Sequence, residues 1–299
     1  MCLMAFALHT QPDLALLLAA NRDESLDRPT AAWHTWRTPA GTPVRAGRDL
    51  RDGGTWIGCA GSRIAMLTNV RDATAFHKAP RSRGELALLW LDTSRTHPHD
   101  APAALHHLLH HTPLREASVY GGFNLVLGDV QQAHWVWLNN RPRLIAPQLP
   151  PHLQGLTQQV QAHLLQAALP AGVYGLSNAG LDTPWPKTQR LSAQLQQCLD
   201  ADLQAPTNPL WPELWPCLRD ATIAPDADLP QTGVPLAWER ALSAIWVDVP
   251  ATAHPPAGYG TRSSLVLEVR RSAQGWRAQG EEHTWRPTAV PPVQDQWLI

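Results

Sequence analysis

The chain reads as an α+β protein in which sheets are layered against a few helices. Three observations predict this class. Apolar runs of strand length come in pairs around turn residues, isolated segments carry apolar residues at helical spacing, and no glycine-rich phosphate loop argues for a doubly wound βαβ fold. Residues 3–9 and 14–20 flank Thr10, Gln11, Pro12 and Asp13 and form the first hairpin. Residues 56–60 and 64–69 make a second around Gly61 and Ser62, and residues 123–128 and 134–138 a third that turns at 129–132. Strands are also expected at 173–177, 244–249, 265–270 and 276–285. Several are apolar on both faces, which implies sheets covered on both sides.

Helical spacing is clear in three places. Leu86, Leu89 and Trp90 follow Ser82, an expected cap with Glu85 three residues on. Leu105, Leu108 and Leu109 share one face of a short helix and leave His106, His107, His110 and His111 on the other. Histidines at i and i+4 can chelate a metal, but no third ligand is visible, so a solvated polar face is expected and no metal site. Leu191, Leu195, Cys198 and Leu199 form an apolar stripe from about Lys187 onward. From 200 to 257 the chain is rich in proline, with Trp211, Trp215 and Trp238 interspersed, and reads as a surface excursion that serves as a lid or pocket rim. The whole of 1–299 reads as one domain, without internal repeats.

Composition removes several function classes. A formal net charge of -1 with scattered arginines leaves no electrostatic footprint for nucleic acid. No apolar stretch approaches the ~20 residues of a membrane span, and no signal peptide is read, so the chain is expected to be cytoplasmic. The four cysteines, Cys2, Cys59, Cys198 and Cys217, lie far apart without a C-x-x-C pair, and are expected as reduced thiols. Fourteen tryptophans against three phenylalanines and three tyrosines suit either an apolar pocket or core edges.

The candidate chemistry starts at position 2. Removal of the initiator methionine makes Cys2 a mature N-terminus that carries a thiol and a free α-amine. An α-amine titrates near 7.7–8.0 and can serve as base toward its own thiol, itself near 8.5. The competing reading is a cysteine that merely starts a buried strand. If the first two strands pair as a hairpin, Cys2 meets Asn21, Arg22, Asp23 and Glu24 at one sheet end. In extended chain Asn21 and Asp23 share one side and Arg22 takes the other. A carboxylate there can hold the amine, and a guanidinium can bind substrate or favour the thiolate. Asn69 and Asn178 each end an apolar strand, where a side-chain amide can donate to a developing oxyanion or form an ordinary turn. Trp56, in Gly53-Gly54-Thr55-Trp56, suits a pocket wall, and Arg262 enters a late strand.

Taken in order, Met1-Cys2, Ala20-Asn21-Arg22-Asp23-Glu24, Gly53-Gly54-Thr55-Trp56, Thr68-Asn69-Val70-Arg71-Asp72, Gly122-Phe123-Asn124, Leu176-Ser177-Asn178 and Gly260-Thr261-Arg262-Ser263-Ser264 resemble the NRDE family. That family is also called the transport and Golgi organisation protein 2 family. The resemblance implies an N-terminal nucleophile hydrolase fold, a four-layer αββα sandwich. It is similar to the wider group of bile salt hydrolases and penicillin V acylases, which use an N-terminal cysteine, an Arg-Asn-x-Asp stretch, two later asparagines and a late arginine. Cys2, Asp23, Asn69 and Asn178 then take catalytic roles, and Asn21, Arg22, Trp56 and Arg262 line the substrate. One departure is plain: Ala20 precedes Asn21, and the arginine stands between Asn21 and Asp23. The activity implied is hydrolysis of a non-peptide amide bond in a small amphipathic molecule, with no cofactor required. The alternative implied is a non-catalytic carrier of haem, acyl-CoA or lipid on the same fold.

Overall fold

The computed structural model describes residues 2–72, 79–204, 211–251, 257–286, 288 and 290–299. The chain opens with β1 (Cys2–Gln11), β2 (Leu14–Ser25), β3 (Thr30–Arg37), β4 (Pro43–Asp49), β5 (Ile57–Ala60) and β6 (Arg63–Asn69). Helices α1 (Gly84–Thr96) and α2 (Ala101–His111) follow, then β7 (Phe123–Asp129) and β8 (His134–Asn139). Two single-turn helices, α3 (Pro142–Ile145) and α4 (Pro151–Gln154), lead to β9 (Thr157–Gln161), β10 (Leu164–Ala168) and β11 (Gly172–Leu176). The last part holds α5 (Pro186–Gln204), α6 (Trp211–Leu218), α7 (Leu236–Leu242), β12 (Asp248–Val249), β13 (Tyr259–Ser272), β14 (Gly275–Thr284) and β15 (Val293–Leu298).

Among the described residues the strands form two antiparallel sheets. One has seven strands in the order β11-β1-β2-β13-β14-β15, with β12 on β13, and the other eight in the order β3-β4-β5-β6-β7-β8-β10-β9. Period-2 alternation decides what each face meets. In β1, Met4, Phe6 and Leu8 join Ile64, Met66, Val126, Trp135 and Trp137 of the other sheet in one apolar cluster. Leu3, Ala5 and Ala7 point the opposite way and pack with Leu191, Leu195 and Leu199 of α5 and with Leu214 and Leu218 of α6. The outer face of the eight-stranded sheet, through Ala65, Leu67, Leu125, Leu127, Val136 and Leu138, is covered by α1 and α2. The sheets therefore face each other and carry helices on their outer faces. This is why the predicted strands are apolar on both sides.

The three expected hairpins form; the first and third are slightly longer than their apolar runs, and the second is shifted by one residue in each strand. The β5–β6 turn has only Gly61 and Ser62, and Gly61 adopts φ +54, which glycine tolerates without a Cβ clash. The strands the sequence reading lacks, β3, β4, β9, β10 and β15, lie at or next to sheet edges. Edge strands are polar, as Thr157-Gln158-Gln159-Val160-Gln161 illustrates, so their alternation is weak. The strand expected at 244–249 shrinks to Asp248–Val249, whereas the one at 265–270 extends back to Tyr259 through a polar stretch. Ser82 does not cap α1. Arg83 is the N-cap residue, with no side-chain cap, and Ser82 only accepts the Glu85 N–H through its carbonyl.

The segment 200–257 mixes exposed residues with a few buried ones. Leu214, Leu218 and Ile245 are core residues beneath the seven-stranded sheet. In α2, Leu105, Leu108 and Leu109 are buried and the four histidines stand on the other side, with ring centroids 4.5 Å apart for His106 and His110 and 5.5 Å apart for His107 and His111. No group of three or more His, Cys, Asp or Glu among the described residues is arranged to hold a metal ion. No helix among them is long and apolar enough to cross a membrane.

The β6–β7 pair buries a charge. Arg63 and Asp129, both 0 % exposed, meet at 2.5 Å, and Ser62 donates to the same carboxylate oxygen at 2.8 Å. Breaking such a pair from one side costs about 3–5 kcal/mol, because the other charge stays buried alone. Asp129→Asn should therefore lower the unfolding free energy by about 3 kcal/mol in a denaturant titration.

Candidate active site at the polar end of the seven-stranded sheet

The register of β1 on β2 sets the geometry. Cys2 lies opposite Arg22, and Met4 opposite Ala20. Cys2 and Arg22 therefore share the face turned toward the other sheet, while Asn21 and Asp23 share the face turned toward the helices. β13 then sets Thr261 beside Asp23 and Ser263 beside Arg22, with Arg262 as the extra residue of a bulge between them.

Each side chain is held by a different device. Arg22 is 6 % exposed, and its guanidinium lies 4.3 Å over the Trp56 ring. Its Nη1 has no hydrogen-bond partner, and its nearest carboxylate, Glu24, is 3.9 Å away. Trp56 in turn packs against Gly47, where an added Cβ would come within 2.5 Å of the ring. Asp23 is 1 % exposed and accepts from Thr261 Oγ1 at 2.7 Å, and the Tyr259 hydroxyl donates to its main-chain oxygen at 2.9 Å.

The strand-end asparagines meet across the two sheets. Asn178 donates from Nδ2 to the Asn69 main-chain oxygen at 2.9 Å, and the Arg71 N–H donates back to the Asn178 oxygen at 2.7 Å. Asn124 fixes this junction. Its amide donates to Ala179 O at 2.7 Å, while its own oxygen accepts from Asn139 and Trp137. That explains the Gly-Phe-Asn motif as a brace.

A cleft of about 910 Å³ opens here. Cys2, Arg22, Asp23, Trp56 and Asn69 line it, with Arg83 and Gly84 on the opposite wall. Gly54 touches that wall so closely that a Cβ on it would meet the Gly84 backbone at 2.5 Å. The other three predicted residues do not line the cleft. Asn178 braces Asn69. Asn21 turns to the helices, donating to Leu218 O and Ile245 O and accepting from Ser264. Arg262 donates to the main-chain oxygens of Ser25, Arg28 and Arg286, and borders a separate hollow of about 240 Å³ behind Arg22. No described residue of 200–257 is among those that line the cleft. Trp56 is the one tryptophan among the described residues that does so.

Burial pushes the Cys2 thiol up, and the Arg22 guanidinium pulls it back. Burial also pushes the Asp23 carboxyl up, against the Lys187 charge and the Thr261 hydrogen bond. Lys187 itself was missed. It is 1 % exposed and pushed down to about 8 by burial, with Asp23 as the largest opposing influence. One signal was available: a lysine in the first turn of a helix opposes the helix dipole, so something else must hold it there.

The Transport and Golgi organisation 2 family model matches residues 1–285. The chain belongs to this family. A Transport and Golgi organization protein 2 homolog of Bos taurus is 28% identical over 284 residues, which covers 90% of this chain and 88% of the relative. The Homo sapiens homolog is 26% identical over the same shares, and the Mus musculus Transport and Golgi organization 2 homolog is 26% identical over 280 residues with the same coverage. The family match thus spans every residue that lines the cleft.

Two measurements test this geometry. Gly47→Ala should displace the Trp56 ring from Arg22 and cost about 1–3 kcal/mol, read by denaturation and by a change in tryptophan emission. Lys187 predicts a pH signature. Its pKa falls from 10.5 to about 8 on folding, so the unfolded chain binds more protons between those values. The penalty of the buried ammonium is complete below about 8 and gone above 10.5. Wild-type stability relative to Lys187→Met should therefore rise with pH across that window.

Proposed function

We propose that this protein is a cytoplasmic cysteine hydrolase of a non-peptide C–N bond, built on the four-layer αββα sandwich of the N-terminal nucleophile hydrolases. The observation that carries the reading is the convergence of Cys2, Arg22, Asp23 and Asn69, the last braced by Asn178, at one sheet end around a single cleft. Cys2 begins β1, an interior strand, so its main-chain nitrogen stands at the polar end of the seven-stranded sheet, and the residue lines the cleft.

With Met1 removed, the Cys2 α-amine takes the thiol proton. Cys2 Sγ attacks the substrate carbonyl and forms a thioester as the C–N bond breaks, and water then releases the acid. Asp23 holds the amine in place. Asn69, braced by Asn178, faces the developing oxyanion, and Arg22, braced on Trp56, binds the polar end of the substrate. The chain's own residues suffice for this sequence. The cleft wall is dominated by arginines and carboxylates, which suits a polar amide substrate better than the apolar face of a haem.

Intact-mass analysis before and after a small thiol-reactive amide or lactam tests the reading. The expected result is a protein lacking Met1 that gains one acyl adduct, located at Cys2 and abolished in Cys2→Ala. Asp23→Asn should slow adduct formation by about two orders of magnitude, the scale for loss of a positioned proton-transfer partner. Retained Met1, or an adduct that persists in Cys2→Ala, overturns the proposal.

A further inference from the structure

The hydrolysis scheme makes no use of the hollow of about 240 Å³ behind Arg22. The ladder between β2 and β13 builds it. Ser263 pairs with Arg22, and Arg262 is the extra residue of the bulge just before Ser263, so the register brings two arginines to neighbouring positions. Both line the hollow, together with Ser263, Glu282, Thr284 and Arg286.

Arg22 and Arg262 are 6 % and 7 % exposed, and neither has a described carboxylate within hydrogen-bond reach. Arg22 Nη1 is enclosed without a hydrogen-bond partner, and Glu24 stands 3.9 Å from Nη2. Arg262 donates only to main-chain oxygens, from Nε to Arg286 and from Nη1 to Ser25 and Arg28, and its Nη2 has no partner among the described residues. Carbonyl oxygens satisfy donors but do not neutralise a charge, and a buried cation without a counter-ion is costly. Burial, and after it the Arg22 charge, disfavours the charged form of Arg262. The other charges of the wall do not balance the two. Arg286 is committed to Asp248 at 2.6 Å, and Glu282 accepts the Trp33 N–H at 2.5 Å without an ion pair to either arginine. One carboxyl therefore faces two guanidiniums.

We propose that this hollow is a binding site for a phosphate-sized oxyanion, held by Arg22 and Arg262, which supplies the counter-charge of the pair. A guanidinium fork matches the spacing of two phosphate oxygens, which a point charge does not. Ser263 and Thr284 bring hydroxyl groups to the same hollow. The oxyanion is either the free ion or the acidic end of a larger phosphate ester. Arg22 lines both the hollow and the cleft, so the bound oxyanion steadies the same guanidinium that the Trp56 ring supports. The inference stands without the hydrolase reading, because neither the Cys2 thiol nor its amine takes part.

Isothermal titration calorimetry of the full chain with inorganic phosphate and with phenyl phosphate, at a fixed ionic strength of about 0.15 M, tests the site. One saturable site is expected in the wild type. Arg262→Met should weaken it by about tenfold or more, the scale for loss of a charged hydrogen-bond partner. Thr284→Glu, which brings a carboxylate into the hollow and spares both arginines, should do the same. Circular dichroism establishes that each variant is folded, and Thr284→Glu carries the test if Arg262→Met is not. Arg83→Met, on the cleft wall, should leave phosphate binding in place. Phenyl phosphate bound as tightly as inorganic phosphate, or more tightly, assigns the site to the end of a larger ester, and weaker or absent binding of it assigns the site to the free ion. No saturable binding of either probe, unchanged binding in the folded hollow variants, or loss of binding in Arg83→Met overturns the inference. Cys2→Ala should bind phosphate as the wild type does, so failure of the hydrolase reading leaves this result untouched.

Discussion

The pairing of β1 with β2 is the constraint on which the rest of the molecule rests. Because side chains alternate with a period of two, the opposition of Cys2 and Arg22 assigns every residue of both strands to a face. Met4, Phe6 and Leu8 fill the space between the sheets, and Leu3, Ala5 and Ala7 meet the helices. A slip of one residue would exchange those sets. It would also carry Arg22 away from Trp56 and bring Asp23 into the layer between the sheets. Core packing and site assembly are therefore enforced by the same hydrogen-bond ladder, and neither can be altered alone.

The cleft shows how buried polar groups are made tolerable. Burial alone opposes charge on the Cys2 thiol, Asp23 and Lys187 alike. Each is offset by a specific neighbour rather than by solvent. Thr261 donates to Asp23, the Trp56 ring supports Arg22, and Glu239 balances Arg71. Thr261 also accepts from the Val247 N–H, so the carboxylate is anchored to the chain segment that leads into β12. Precision in such a site comes from chains of contacts that extend well beyond the residues that border the opening.

Much of this was legible in the sequence, and the gaps have physical causes. The hairpins at 3–20, 56–69 and 123–138 were readable because buried strands concentrate apolar residues. The edge strands were not, because solvent and the lack of a second neighbour permit glutamines and threonines there. Residues 259–264 fall outside the strand expected at 265–270, since Thr261, Arg262, Ser263 and Ser264 are polar, yet they extend it along β2 and are buried. Cys2, Arg22 and Asp23 were found through the hairpin argument. Asn21 and Arg262 were assigned to the cleft by likeness of pattern, and their parity and the bulge turn them elsewhere. Lys187 escaped notice because its burial depends on a helix that packs against β1 from 185 residues away.

The contact between Gly54 and Gly84 has a consequence for selectivity. Two backbones touch there with no side chain between them, so the spacing of the cleft walls at that point is a fixed gauge, as small as chain geometry allows. The walls cannot draw closer around a smaller guest. Discrimination among guests must then come from the reach of side chains such as Arg83 and Arg22, much as a caliper locked at one setting measures only by what is placed between its jaws.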